Sequence, residues 1–152
     1  MTGESQSNQE LARNLLAAGG TASLGTLTTD AAPFVSYVVT APAIDGSPLM
    51  LLSRLAQHTK NLDRDPRASL LFVREAEPGD ETLTASRLTL TGRCTTEIDP
   101  SAKQRYLDRH PDSTRYAEFS DFSLYRFEIQ AGHLVAGFGR IVGLTREDLL
   151  LP

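Results

Sequence analysis

The apolar positions change period several times along the chain, and each change predicts a new element. Leu11, Ala12, Leu15, Leu16 and Ala18 recur at helical spacing over 8–18, with Asn8 as a candidate cap and Gly19-Gly20 as the stop. TASLGTLTT (21–29) then alternates and is rich in Thr, which predicts a strand, and Asp30 to Pro33 predicts a turn. PFVSYVVTAPAI (33–44) is apolar on both faces, with β-branched Val35, Val38 and Val39. Such a strand is covered on both sides, in a barrel or at a subunit contact. Asp45-Gly46 is a hairpin signal leading into a short strand, PLMLLS (48–53).

The second half repeats this texture. LAQHTKNLDRD (55–65) predicts a short helix ended by Pro66, and RASLLFVR (67–74) a strand. The acidic segment 75–81 centres on Pro-Gly and predicts an exposed loop. In 84–98, Leu88, Leu90 and Cys94 share one face while Arg87, Thr89, Thr91 and Arg93 share the other, and Gly92 predicts a bulge or bend. Asp99-Pro100 opens a helix that Pro111 ends, and a second short helix is predicted over 113–119. FSLYRFEIQ (122–130) is a strand with Tyr125, Phe127 and Ile129 on one face, and a further strand is predicted over 133–139. Thr145 to Asp148 forms a short capping box before the apolar LLLP.

Six or seven strands joined mostly by turns, with three or four short helices, predict a mainly β, α+β chain: an antiparallel barrel with appended helices. The expected organisation is a disordered N-terminus (1–7), one domain (8–142) and a C-terminal tail (143–152). At 152 residues and 40% apolar content, one domain with a sizeable core is the expectation. Thirteen Arg and two Lys stand against 19 acids, for a net charge of −4. That balance disfavours a nucleic-acid coat or a polybasic membrane patch. No apolar run approaches the roughly 18 residues of a membrane span, and the polar start lacks a secretory pattern, so a cytoplasmic protein is expected.

Side-chain chemistry is sparse. One cysteine excludes an internal disulfide and a Cys-cluster metal site, and Cys94 sits on the apolar face of its strand. His58, His110 and His133 are widely spaced, so no metal site is expected from them. There is no nucleophile elbow and no P-loop or dinucleotide glycine pattern. Two features remain. Ser53, His58, Thr59 and Lys60 place hydroxyls, an imidazole and an ammonium at a strand-to-helix corner suited to a phosphate monoester, although a solvated surface helix would look the same. Arg87 and Arg93 share the polar face of one strand, where an Arg can clamp a phosphate. A chain without an acid–base or nucleophile constellation can still do redox chemistry when a cofactor carries the reaction.

The stretch GTASLGTLTTDAAPFVSYVVTAPAIDGSPLMLLSRLAQHTKNLDRDPRASLLF (20–72) resembles the FMN-binding split-barrel family, whose best-known members are the pyridoxamine 5'-phosphate oxidases. SRLAQHTKNLDRDPRASLLF, RLTLTGRC, RYLDRHPDS and FSLYRFEIQAGHLVAGFGR resemble its haem-utilisation subgroup. The resemblance implies a six-stranded antiparallel Greek-key split barrel of FMN-binding type, and a homodimer with cofactor sites at the interface. It implies Ser36, Tyr37 and Val38 against the isoalloxazine, and Ser53, Gln57, His58, Thr59, Lys60 and Arg87 around the phosphate. Phe138 and Arg140 would reach the partner's site. The implied function is that of an FMN-binding oxidoreductase acting with a small-molecule substrate or electron acceptor, and no residue takes a catalytic label. Two alternatives stand beside it: a haem-binding or haem-degrading protein, with His58 or His133 as iron ligand, and a non-enzymatic flavin-binding module.

Overall fold

The computed structural model describes residues 7–74, 77–137 and 139–152. Helix α1 (Asn8–Ala18) precedes strands β1 (Gly20–Leu27), β2 (Pro33–Pro42) and β3 (Pro48–Ser53). Helix α2 (Gln57–Arg64) leads to β4 (Arg67–Val73) and β5 (Arg87–Thr96). Helices α3 (Pro100–Arg109) and α4 (Thr114–Ala117) precede β6 (Phe122–Val135), β7 (Ile141–Thr145) and α5 (Arg146–Leu149).

All strand pairs are antiparallel and follow the order β3-β2-β1-β4-β5-β6-β7, and β3 also pairs with β6. The first six strands therefore close into a ring, and β7 extends it outside β6. Closure pairs most of the strand edges that would otherwise attract another chain. Leu24, Leu70, Leu88, Leu90, Phe127 and Ile129 fill the interior, and α1 covers it with Leu11, Leu15 and Leu16.

The ring is uneven. β2 pairs with β1 from Pro33 through Thr40, but with β3 only at Ala41↔Leu49 and Pro42↔Pro48. Two prolines facing each other offer no N–H to that ladder. β3 then turns away and pairs with β6 from Leu49↔Arg126 to Ser53↔Phe122. Over residues 34–40 the far edge of β2 thus lacks a strand partner, and a split opens between β2 and β3.

Several local expectations change. Ser7 rather than Asn8 caps α1, accepting from the Glu10 N–H at 3.1 Å. The remainder of the segment expected to be disordered, 1–6, lies outside the described residues, as do Glu75 and Ala76 of the acidic loop. The expected separate strand over 133–139 is not one element: 133–135 completes β6. The chain then turns through Gly137 (φ +89°) and Gly139 (φ +81°), closed by the Ala136 N–H donating to the Arg140 carbonyl at 2.9 Å. Positive φ favours glycine and breaks the strand there. Residues 143–152 carry the end of β7 and α5, and Leu144 and Leu149 are buried in the main core.

Gly92 sits at a register shift in the β5–β6 ladder. A Cβ there would lie 2.0 Å from the Glu128 carbonyl oxygen, so the two backbones approach too closely for any side chain. Gly92→Ala should cost about 2–4 kcal/mol in urea unfolding, through overpacking against a rigid ladder. Gly143→Ala, with nothing within 4 Å of the added Cβ, should stay within about 0.5 kcal/mol.

Candidate functional site

Helix α2 is unusual in how it is seated. Its buried face is mostly polar, Thr59 and Asn61 beside Leu62. Hydrogen bonds to three strands therefore hold it where apolar burial would ordinarily do so. His58 Nδ1 lies 2.9 Å from Ser36 Oγ of β2. Asn61 Nδ2 donates to Thr26 Oγ1 of β1 at 3.0 Å, while its Oδ1 accepts from Gln57 Nε2 at 2.8 Å. The Tyr125 hydroxyl of β6 donates to Asp63 Oδ1 at 2.7 Å, and Arg64 donates to the Leu27 carbonyl at 3.1 Å. Burial, then the Asp63 carboxylate, push the Tyr125 phenol up, which keeps it a neutral donor. The fully buried Thr59 hydroxyl alone has no hydrogen-bond partner among the described residues.

These bonds place α2 at the mouth of the split. The cleft there measures about 360 Å³ and takes Tyr37, Val38 and Val39 from β2, Leu51, Leu52 and Ser53 from β3, and His58 from α2. Its far wall is Tyr106 of α3, Tyr116 of α4 and Phe122 of β6. Three of the chain's four tyrosines thus converge on one cleft. The Tyr116 and Phe122 rings pack at 4.8 Å between centroids, and the Tyr106 ring lies 5.1 Å from that of His110. Burial pushes the Tyr106 phenol up to about 12. Desolvation holds the His58 imidazole below its ordinary value, so it is neutral at physiological pH. The arrangement presents aromatic and aliphatic walls, one neutral imidazole and few charges, as a planar, largely apolar ligand requires.

The expected site residues divide. Ser36, Tyr37, Val38, Ser53 and His58 come together at the split, although the Val38 side chain itself is buried in the barrel core. Gln57 braces Asn61, and Lys60 is exposed on α2. Arg87 is elsewhere. It pairs with Val73 at the far end of β4, six residues from Arg67 where α2 delivers the chain, which is about 20 Å at ~3.3 Å per residue. Its guanidinium donates to the Leu83 and Ala85 carbonyls at 2.9 and 3.2 Å. Neither Lys60 nor Arg87 lines the cleft at the split. Arg140 donates to Asn8 Oδ1 at 2.5 Å, against α1, and Phe138 lies outside the described residues. Ser53 Oγ donates to Asp121 Oδ2 at 3.0 Å and accepts from the Leu55 N–H at 3.1 Å, so a carboxylate occupies the corner expected to take phosphate.

Sequence reasoning missed Asn61, Tyr106, Tyr116, Phe122 and Asp121. Asn61 carried a signal, being a polar residue between Thr59 and Leu62 on the inward face of a short helix. The aromatic wall carried none, because it depends on where α3 and α4 fold back. Cys94 is buried, and burial with the Asp63 carboxylate pushes its thiol up to about 12, as an inert core thiol requires. Among the described residues no helix is long and apolar enough to cross a membrane, and no three His, Cys, Asp or Glu side chains gather as a metal site.

A six-stranded antiparallel ring, parted between two of its strands with an aromatic cleft in the gap, defines a split β-barrel protein. Residues 4–149 match the family described as CREG, beta-barrel, and the chain belongs to that family. It is similar to the non-canonical heme oxygenase HOZ, chloroplastic, of Arabidopsis thaliana, with 38% identity over 108 residues, 69% of this chain and 32% of that protein. It is 25% identical to heme oxygenase HutZ of Vibrio cholerae over 138 residues, 86% of this chain and 77% of that protein. A solved heme binding protein from Mycobacterium smegmatis superposes with a TM-score of 0.88 at 32% identity, over 96% of this chain and 61% of that one. The chain thus spans about a third of the Arabidopsis relative's length (32%).

Asn61→Ala should cost about 2–4 kcal/mol, because it leaves the Thr26 hydroxyl and Gln57 amide without their buried partner. Hydrogen exchange should quicken across α2 in that variant. Arg67→Ala, which breaks only the exposed pair with Asp65, should change stability by less than about 1 kcal/mol.

Proposed function

We propose that this chain is a haem-binding split-barrel protein whose ligand lies in the cleft between β2 and β3. The observation that carries the reading is the convergence of Tyr37, Tyr106, Tyr116 and Phe122 with a neutral His58 on that cleft. The donor set fits haem: a broad apolar macrocycle takes aromatic and aliphatic walls, and its iron takes an imidazole nitrogen. Bound haem supplies an iron centre able to bind and reduce oxygen. The chain's own residues bind the ring, orient it and exclude water. The relatives named for heme binding and heme oxygenase support the same ligand class.

The site is shared by two copies in this reading. Val35, Tyr37 and Val39 project from the outer face of β2 with exposures of 70%, 73% and 40%. An apolar row of this kind on an open strand marks an interaction surface. The cleft is open on that side, and a second copy would complete the enclosure of a ligand as large as haem. FMN is the weaker reading. The Ser53 hydroxyl is given to Asp121, and that carboxylate disfavours a phosphate at the same corner.

Adding hemin to the purified full chain should give a saturable Soret band at one equivalent per subunit. Light scattering should give twice the chain mass. Val35→Glu with Tyr37→Glu should weaken self-association at least about 100-fold, because both anchors are central and apolar. Saturable quenching of FMN fluorescence with no hemin Soret band would favour the flavin reading. Loss of the Soret band under oxygen and ascorbate would extend binding to haem breakdown.

A further inference from the structure

We propose that a second pocket, beside α1, binds a small amphipathic carboxylate with a straight hydrocarbon chain. The pocket measures about 340 Å³ and lies between α1, the β2–β3 turn, α3 and the segment 149–151. It shares no lining residue with the cleft between β2 and β3, so the proposal stands apart from the haem reading. Its walls are largely apolar: Leu16 of α1, Pro42 at the end of β2, Ala43 and Ile44 of the turn, and Leu149 and Leu151. Ile44 and Leu151 remain 78% and 51% exposed there. Backbone hydrogen bonds join these walls. The Leu151 N–H donates to the Asp45 carbonyl at 2.9 Å, and the Gly46 N–H to the Ala43 carbonyl at 3.0 Å.

Two arginines on this pocket give it its chemistry. Arg13 Nε donates to the Asp148 carbonyl at 2.9 Å, and Arg105 Nε to the Pro42 carbonyl at 3.4 Å. Each guanidinium is thus tethered through one nitrogen. The terminal nitrogens, which belong to the fork that matches a carboxylate, have no hydrogen-bond partner among the described residues. Neither arginine pairs with a described carboxylate, and Glu10, which also lines the pocket, forms no ion pair with either within 4 Å. Tethering limits the freedom that binding would otherwise remove, which favours capture of an anion. A carboxylate takes the terminal nitrogens, and its hydrocarbon chain covers Leu16, Ile44 and Leu151. The volume sits at the low end for small-molecule sites, which suits a short chain and not a macrocycle.

Octanoate is titrated into the isotope-labelled full chain, and amide shifts are followed by NMR. Binding should saturate at one equivalent per chain, with the largest shifts at Ala17, Ile44 and Leu151. Octanol, equal in length but neutral, should bind at least about tenfold more weakly. Arg13→Gln and Arg105→Gln should each weaken octanoate about tenfold while keeping the dispersed amide spectrum of the wild type, which separates a lost contact from a lost fold. Arg67→Gln, which removes a charge elsewhere on the surface, should bind octanoate as the wild type does. The proposal is overturned by the absence of saturable shifts at those three amides, by equal affinity for octanoate and octanol, or by unaltered octanoate affinity in both folded arginine variants. An acetylated dipeptide ending in leucine that binds more tightly than octanoate would overturn the ligand class, in favour of a peptide carboxy-terminus.

Discussion

The structure depends on how β3 divides its hydrogen bonds. A strand has two edges, and β3 gives one of them to β6 over five residue pairs. The other edge meets β2 at only two pairs, at the Pro42–Pro48 end of the hairpin. Beyond Ala41 the two strands part, so β2 keeps β1 as its neighbour and leaves its far edge open from 34 to 40. An open edge inside a barrel is costly unless something covers it. Here α2 and α3 share that task. The His58 ring reaches Ser36, and His110 reaches the Thr40 carbonyl. The cleft is the remainder that these two helices leave uncovered.

Polar seating explains why α2 can carry a site residue accurately. Each hydrogen bond between α2 and the barrel adds only about 1 kcal/mol net, while an unmatched partner costs about 1–3 kcal/mol. The Asn61–Thr26 and Asp63–Tyr125 contacts are therefore more selective than strong. A sliding apolar contact would tolerate a shift of a fraction of a turn. A buried amide bonded on both sides does not. The half-buried cluster of Arg126 with Glu97 at 2.6 Å and Asp45 at 3.3 Å works in the same sense elsewhere, joining the β2–β3 turn to the segment that follows β5.

Much of the barrel was legible in the chain itself. The alternation of β5 placed Leu88, Leu90 and Cys94 inside, and they are buried. Gly92 signalled the register shift, whereas the strand 33–44, expected to be covered on both sides, keeps its outer row of Val35, Tyr37 and Val39 exposed. Local pattern failed where distant segments decide. The β3–β6 pairing joins residues more than 70 apart, and the cleft's aromatic wall comes from α3, α4 and the start of β6. Residue type alone singled out Lys60 and Arg87 as phosphate contacts, without their positions. The register sets Arg87 opposite Val73 of β4, and its guanidinium is bonded to the Leu83 and Ala85 carbonyls.

The partners of these groups bear directly on the proposed choice of ligand. A phosphate dianion needs cations and N–H donors converging within hydrogen-bond reach. The corner offers Ser53 already bonded to the Asp121 carboxylate, with Lys60 exposed on the helix beyond it. The Arg87 guanidinium is tied to the carbonyls of Leu83 and Ala85. A phosphate would have to displace an anion and overcome its repulsion before gaining any bond. In the haem reading, the ring face and iron ask for apolar walls and one nitrogen, and the propionates need not lie at this corner. The walls from Tyr37 to Phe122 supply the face, and His58 is the imidazole in the cleft whose second nitrogen has no partner among the described residues. In the proposed reading, the sparse charge that counts against a phosphate at this corner is what an apolar macrocycle face tolerates.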